Sequence, residues 1–147
     1  MDELEDRVDR LESRHALSDL AAAYCAAVDA KDAKGVAEIF TVDGRLNALS
    51  GRAAIEEFFN RWMSEYGPTF HYPHAHVIEF RARHDAVAVV TGHAEQRRGD
   101  EVWVMGVRYL DSYHRESGIW RIAERKVGYR YRLRVEDYAR LFGEVHT

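Results

Sequence analysis

FHYPHAHVIEFRARHDAVAVVTGHAEQRRGDEVWVMGVRYLDSYHRESGIWRIAERKVGYRYR, residues 70–132, is the stretch that decides the fold. Apolar and polar residues alternate along it with a period near two, the signature of half-buried strands. Four runs stand out, at 70–82, 86–98, 101–114 and 119–132. They are separated by His84-Asp85, Gly99-Asp100 and Glu116-Ser117-Gly118. Connections this short join antiparallel neighbours. The expectation is a sheet of four long antiparallel strands.

Upstream the period is helical. Leu4, Val8 and Leu11 predict a helix over 2–15. Leu17, Leu20, Ala21, Tyr24, Cys25 and Val28 form the apolar stripe of a second helical stretch that ends at Asp29. A third, short segment follows, with Asp32 as its cap and Val36, Ala37, Ile39 and Phe40 as its apolar side. Asp43-Gly44 reads as a turn, 45–49 as a short strand, and Ser50-Gly51 as another turn. Ile55, Phe58, Phe59, Trp62, Met63 and Tyr66 then mark an amphipathic helix, stopped by Gly67-Pro68. Residues 135–142 predict a last helical turn. The fold class is α+β in a single domain over 1–147: apolar helix faces cover one side of a curled antiparallel sheet and leave a cavity between them.

Bulk properties narrow the function. The chain has 147 residues, 46% hydrophobic and 31% charged, with a net charge of −4. Acidic and basic residues are interspersed, so there is no basic footprint for nucleic acid and no polybasic patch for a membrane surface. The single cysteine, Cys25, excludes an internal disulfide framework and reads as a small buried hydrophobe. The opening MDELEDRVDR lacks the apolar core of a signal peptide. No apolar run approaches the ~20 residues of a membrane helix. The chain reads as cytoplasmic by default.

Several side chains carry possible chemistry. Asp29 closes an apolar helical stripe, at the end where the helix dipole disfavours an anion, so it is either a plain turn residue or held by a specific partner such as a histidine. His71, at the start of a strand, is either structural or a proton carrier, since imidazole titrates near neutral pH. His71, His74 and His76 form an H-x-x-H-x-H run. Strict alternation puts 74 and 76 on one face and 71 on the other unless Pro73 bulges the strand, which disfavours a metal site. Tyr24 lies on the apolar stripe, as core or as hydrogen-bond donor. His93, Arg108, Tyr109, Tyr113 and Arg130 are strand residues expected to line the cavity if their faces are concave. Trp103, Met105 and the aromatic face from Phe58 to Tyr66 read as packing. Arg81, Arg83, Glu95, Arg97, Arg121 and Arg125 read as charges on the sheet's outer face, which speaks against a subunit that needs a partner to cover that face.

Two stretches carry a family resemblance. HALSDLAAAYCAAVDAKDAKGVAEIF, 15–40, resembles the opening helices of SnoaL-like proteins of the nuclear-transport-factor-2-like superfamily. YLDSYHRESGIWRIAER, 109–125, resembles their closing hairpin. The resemblance spans about residues 10–132. It implies a cone of curved sheet and helices around a deep pocket. The chain is most similar to the family's lyases: scytalone dehydratase, bile-acid 7α-dehydratase and hexachlorocyclohexane dehydrochlorinase. These imply a histidine base, His71, paired with an aspartate, Asp29. The bile-acid enzyme further implies a pocket tyrosine at Tyr24 and a pocket arginine near Arg130. Asn47 stands where scytalone dehydratase has a pocket tyrosine. His93 shares a strand with that enzyme's second histidine. The resemblance therefore implies a lyase without metal or organic cofactor, acting on a small-to-medium hydrophobic molecule, and self-association as a dimer or trimer. An isomerase or polyketide cyclase using the same pair, and a ligand-binding module without turnover, are the alternatives.

Overall fold

The computed structural model describes residues 2–143. In chain order the elements are α1 (Glu3–Asp29), α2 (Ala33–Glu38), β1 (Phe40–Leu46), β2 (Leu49–Ser50), α3 (Arg52–Glu65), β3 (Thr69–Phe80), β4 (Asp85–Arg98), β5 (Glu101–Glu116), β6 (Ile119–Arg134) and a closing 3₁₀ helix (Val135–Phe142). The strands form one curved, unclosed sheet in the order β2-β1-β6-β5-β4-β3. The four long strands pair antiparallel, as their short connections require. β1 is the exception. It runs parallel to β6, which the chain reaches only after α3 and four further strands, and long connections are what parallel neighbours need.

Two sequence boundaries move. The stretches 2–15 and 17–29 merge into one 27-residue helix, because no glycine or proline interrupts them. Asp2 and Glu5 close a capping box at its start. Asp43-Gly44, read as a turn, lies inside β1. There the pairing with β6 shifts register between Phe40 and Arg45. A Cβ on Gly44 would meet the Phe40 Cβ at 2.8 Å and the Thr41 carbonyl at 2.9 Å, so this bulge tolerates only glycine. The turn comes four residues later, where Asn47 adopts φ 52° and β1 folds back on β2.

The helices pack on the concave face. Leu17, Tyr24, Cys25 and Val28 of α1 join Val36, Phe40, Ile55, Phe59 and the inward residues of β3–β6 in one apolar cluster. Burying an aliphatic side chain as fully as Leu17 or Ile55 is worth about 1.5–3 kcal/mol. Along β4 the inward positions Ala86, Ala88 and Ala94 are small, which leaves room beneath the helices. Among the described residues no helix is long and apolar enough to cross a membrane.

β6 carries two bulges, and they correct the reading of its faces. Alternation from the buried Trp120 and Ile122 would turn Arg125 outward. The register shifts opposite Ser112 and Tyr113, leaving Ala123 unpaired, and Arg125 swings inward to become 1% exposed. A second shift opposite Gly106 and Val107 makes Arg130 the unpaired residue, and it is exposed. β3 has the same device: its pairing shifts between Pro73 and His76. His71 opposes Ala94 and His76 opposes Val90, both inward positions, whereas His74 lies beside His93 with ring centroids 6.3 Å apart. His71 and His76 thus share the inner face, and His74 does not.

Candidate functional site

The last residue of α1 meets the first turn of β3. Asp29 Oδ1 lies 2.6 Å from His71 Nδ1 and accepts the Thr69 hydroxyl at 3.1 Å, while Oδ2 accepts the His71 backbone N–H at 2.8 Å. These donors offset the repulsion that a helix C-terminus exerts on a carboxylate. The His71 side chain is 8% exposed and that of Asp29 26%. A short Nδ1–carboxylate contact puts the ring proton on Nδ1 and leaves the Nε2 lone pair free. Thr69 was not singled out from the sequence. The signal was there: it precedes His71 by two, so it shares that residue's face.

His71 lines a cavity of about 270 Å³ between helices and sheet. Tyr24 and Val28 of α1, Phe58, Phe59 and Trp62 of α3, the hairpin from Leu46 to Leu49, and Ala94, Gln96, Met105, Val107, Tyr109, Val127 and Tyr129 of the sheet complete its wall. No Asp, Glu, Lys or Arg is among these lining residues. The face from Phe58 to Trp62 and Met105, read as packing, also forms cavity wall. Alternation tells which side of an element is buried but not whether a void lies beyond it.

Of the sequence-predicted site residues, Tyr24, His71, Asn47 and Tyr109 line the cavity, with Asp29 behind His71. Asn47 Oδ1 accepts the Val127 N–H at 2.9 Å, fixing the hairpin to β6. His93, Arg108 and Arg130 lie elsewhere. His93 Nε2 is 2.6 Å from the Tyr131 hydroxyl in an aromatic cluster with Tyr138 of the 3₁₀ helix, on the convex side. Arg108 and Arg130 line a shallow groove along β5 and β6. Register decides these placements: His93 pairs Gly106, one position out of phase with the inward pairs Gly92–Val107 and Ala94–Met105. Among the described residues, no group of three His, Cys, Asp or Glu side chains converges for a metal ion.

Beneath the cavity floor lies a polar network that sequence reading missed. Arg125 donates to Asp111 through Nε (2.8 Å) and Nη2 (2.6 Å), and its guanidinium sits 4.3 Å from the centroids of both Tyr24 and Tyr109. Tyr113 donates its hydroxyl to Asp111 at 2.6 Å, and His76 Nε2 lies 3.2 Å from the same hydroxyl. Tyr113 is therefore placed under the floor. Burial pulls the Arg125 guanidinium down, and the charge and hydrogen bonds of Asp111 more than reverse it. Burial pushes Tyr24 up to about 12, partly offset by Arg125. Tyr24 stays protonated and can donate a hydrogen bond. Tyr109 and Tyr113 are raised as well, chiefly by burial.

His76 makes a testable pH effect. The Tyr113 proton goes to Asp111, so His76 must present Nε2–H to the hydroxyl oxygen, and its buried Nδ1 has no partner among the described residues. Burial holds the imidazole below its ordinary value of 6.5, with Asp111 opposing and Arg125 reinforcing the shift. The unfolded chain then binds a proton that the folded chain resists. Stability is complete above the unfolded value near 6.5 and falls as pH drops below it. In melts at pH 8 and pH 5, the advantage of wild type over His76→Gln should shrink on acidification. A pH-independent difference would contradict this account.

The model of the SnoaL-like domain family matches residues 9–126 of the chain. The chain belongs to the SnoaL-like domain family. Solved structures agree with the fold of this SnoaL-like protein. A scytalone dehydratase-like protein from Novosphingobium aromaticivorans superposes with a TM-score of 0.81 at 17% identity, over 86% of this chain and 90% of that one. Hexachlorocyclohexane dehydrochlorinase LinA type 3 from Novosphingobium barchaimii gives 0.80 at 18%, over 96% and 97%. ActVI-ORFA from Streptomyces coelicolor gives 0.71 at 16%, over 82% and 96%. No curated protein matches. At these identities the likeness concerns the fold.

Proposed function

We propose that this SnoaL-like protein is a lyase that removes a proton from carbon with His71, oriented by Asp29, in a neutral, largely apolar molecule. The supporting observation is the His71–Asp29 contact of 2.6 Å with the imidazole on the cavity wall. A base buried away from the cavity would instead favour a structural pair and a binding module.

The chemistry follows from the geometry. Asp29 holds the Nδ1–H tautomer, so Nε2 is the base. Nε2 takes a proton from a C–H beside an electron-withdrawing group, and Asp29 stabilises the imidazolium formed. The C–H electron pair forms a double bond and either expels a leaving group from the adjacent carbon or is reprotonated elsewhere. Elimination is the principal reading, because the named relatives include a dehydrochlorinase and a dehydratase-like protein. Return of the proton would make the same site an isomerase. Tyr24, protonated and on the cavity wall, donates to the departing or oxyanionic group. The step needs only these side chains. An apolar lining without ionised groups favours an uncharged substrate.

The test needs no knowledge of the natural substrate. 2-Tetralone, a neutral ketone with acidic α C–H bonds, is incubated with the protein in D₂O and followed by proton NMR. The expected result is α-deuteration above the buffer rate. A rate equal to buffer at every pH would sink the proposal.

A further inference from the structure

Among the polar side chains on the cavity wall that neither the dyad nor the buried network uses, Gln96 lies nearest in register to His71. Gln96 is 8% exposed and lines the cavity, and its amide has no hydrogen-bond partner among the described residues. The amide is open to the cavity rather than sealed in protein, so a molecule held in that void is the partner within its reach. It is also the chain's only glutamine.

Its position relative to the base is set by register. Thr69 opposes Gln96 and His71 opposes Ala94, so Gln96 and the cross-strand partner of His71 are two residues apart on one face of β4. That is about 7 Å between backbone positions along the strand, the spacing from which the two side chains project. Ala94 is small and 0% exposed, so no side chain of β4 stands between imidazole and amide. The gap suits an O=C–C–H fragment with its oxygen on the amide and its hydrogen at the base. When Nε2 takes that hydrogen, the C–H pair becomes the C=C bond of an enolate and the carbonyl pair moves onto oxygen. No Lys or Arg lines the cavity to receive this charge, so neutral donors must.

We infer that Gln96 is a substrate-holding residue whose side-chain N–H binds the carbonyl oxygen of a neutral ketone-type substrate, on the carbon adjacent to the C–H deprotonated by His71. The inference rests on the proposed function and names its substrate class. Tyr24, on α1, also lines the cavity and serves the group that departs.

The experiment uses two probe pairs, 2-tetralone against tetralin and cyclohexanone against cyclohexane, in ligand-detected NMR titrations. The Gln96 side-chain amide resonance is recorded in parallel on ¹⁵N-labelled protein and is assigned by its loss in Gln96→Leu. Each ketone should shift that resonance, and neither hydrocarbon should. The ketone-to-hydrocarbon affinity ratio should fall about tenfold in Gln96→Leu, the size of one lost hydrogen bond that leaves a buried carbonyl unpaired. Gln96→Glu keeps the shape and should lose the preference equally at pH 8, because a carboxylate cannot donate. An unmoved Gln96 resonance, or an unchanged ratio in both variants, would overturn the inference. His71→Ala separates the two readings: it should keep the Gln96 shift and lose α-deuteration. Ketone-specific shifts in a wild type that exchanges no deuterium would leave Gln96 as the carbonyl site and remove the lyase reading.

Discussion

Replacing His71 with alanine is expected to slow α-deuteration of 2-tetralone about 10²- to 10⁴-fold, the usual contribution of a positioned general base. Asp29→Asn should be comparably severe. Asp29 receives the Thr69 hydroxyl, the His71 backbone N–H and His71 Nδ1. An amide has one accepting oxygen for these donors. Its NH₂ would then face Nδ1, favour the Nε2–H tautomer, and remove the lone pair from the cavity side. The double variant should be little slower than the slower single one, because residues acting as a unit are non-additive. Rates and melting curves on all three variants check this. A His71→Ala rate within a few-fold of wild type would end the lyase reading. Collapsed melting without a rate defect per folded molecule would assign the pair to structure.

The largest stability effect is expected at Arg125. Arg125→Met should cost about 3–5 kcal/mol, because it leaves Asp111 as an uncompensated buried charge. For a chain of this size that corresponds to a fall in Tm of roughly 6–20 °C. Asp111 has no water-facing alternative: its side chain is 0% exposed and that of Arg125 1%. The double variant Arg125→Met with Asp111→Leu should recover most of the loss, since an apolar pair of similar volume replaces a buried ion pair at little net cost. The Tyr113 hydroxyl can then donate to His76 in its other tautomer. Chemical denaturation of the two singles and the double gives the coupling energy. Additive losses would mean the two side chains act independently and would contradict the bidentate geometry.

The fold was legible because its signals are long and periodic. Four strands of 12 to 16 residues separated by tight turns leave few arrangements open, and the stripe from Leu17 to Val28 tells which helix face meets them. Asp29 was legible for a different reason: a carboxylate at the unfavourable end of a helix demands a partner, and the family resemblance pointed to His71 as that partner. Three of the misread residues share one cause. Arg125, Arg130 and His76 all lie at or just beyond register shifts in β3 and β6. Each shift exchanges the faces of every following residue, and nothing in local composition marks Ala123 or Arg130 as the unpaired residue. Gln96 was passed over for a related reason. In a run reading AEQRR it looks like one more polar residue near a strand end, and only the pairing with Thr69 turns it inward.

The bulge between Pro73 and His76 also divides the interior into two compartments. Above it β3 contributes His71 to an open chamber; below it the same strand contributes His76 to a sealed ionic core. The bulge works as a phase joint: shortening the strand by one residue there would exchange the faces of one half while leaving the other in place. The chamber and the core can therefore diverge on separate schedules. Changes at Ala94, Gln96 or Trp62 alter what the chamber accepts, while Arg125, Asp111 and Tyr113 keep the cone standing beneath it.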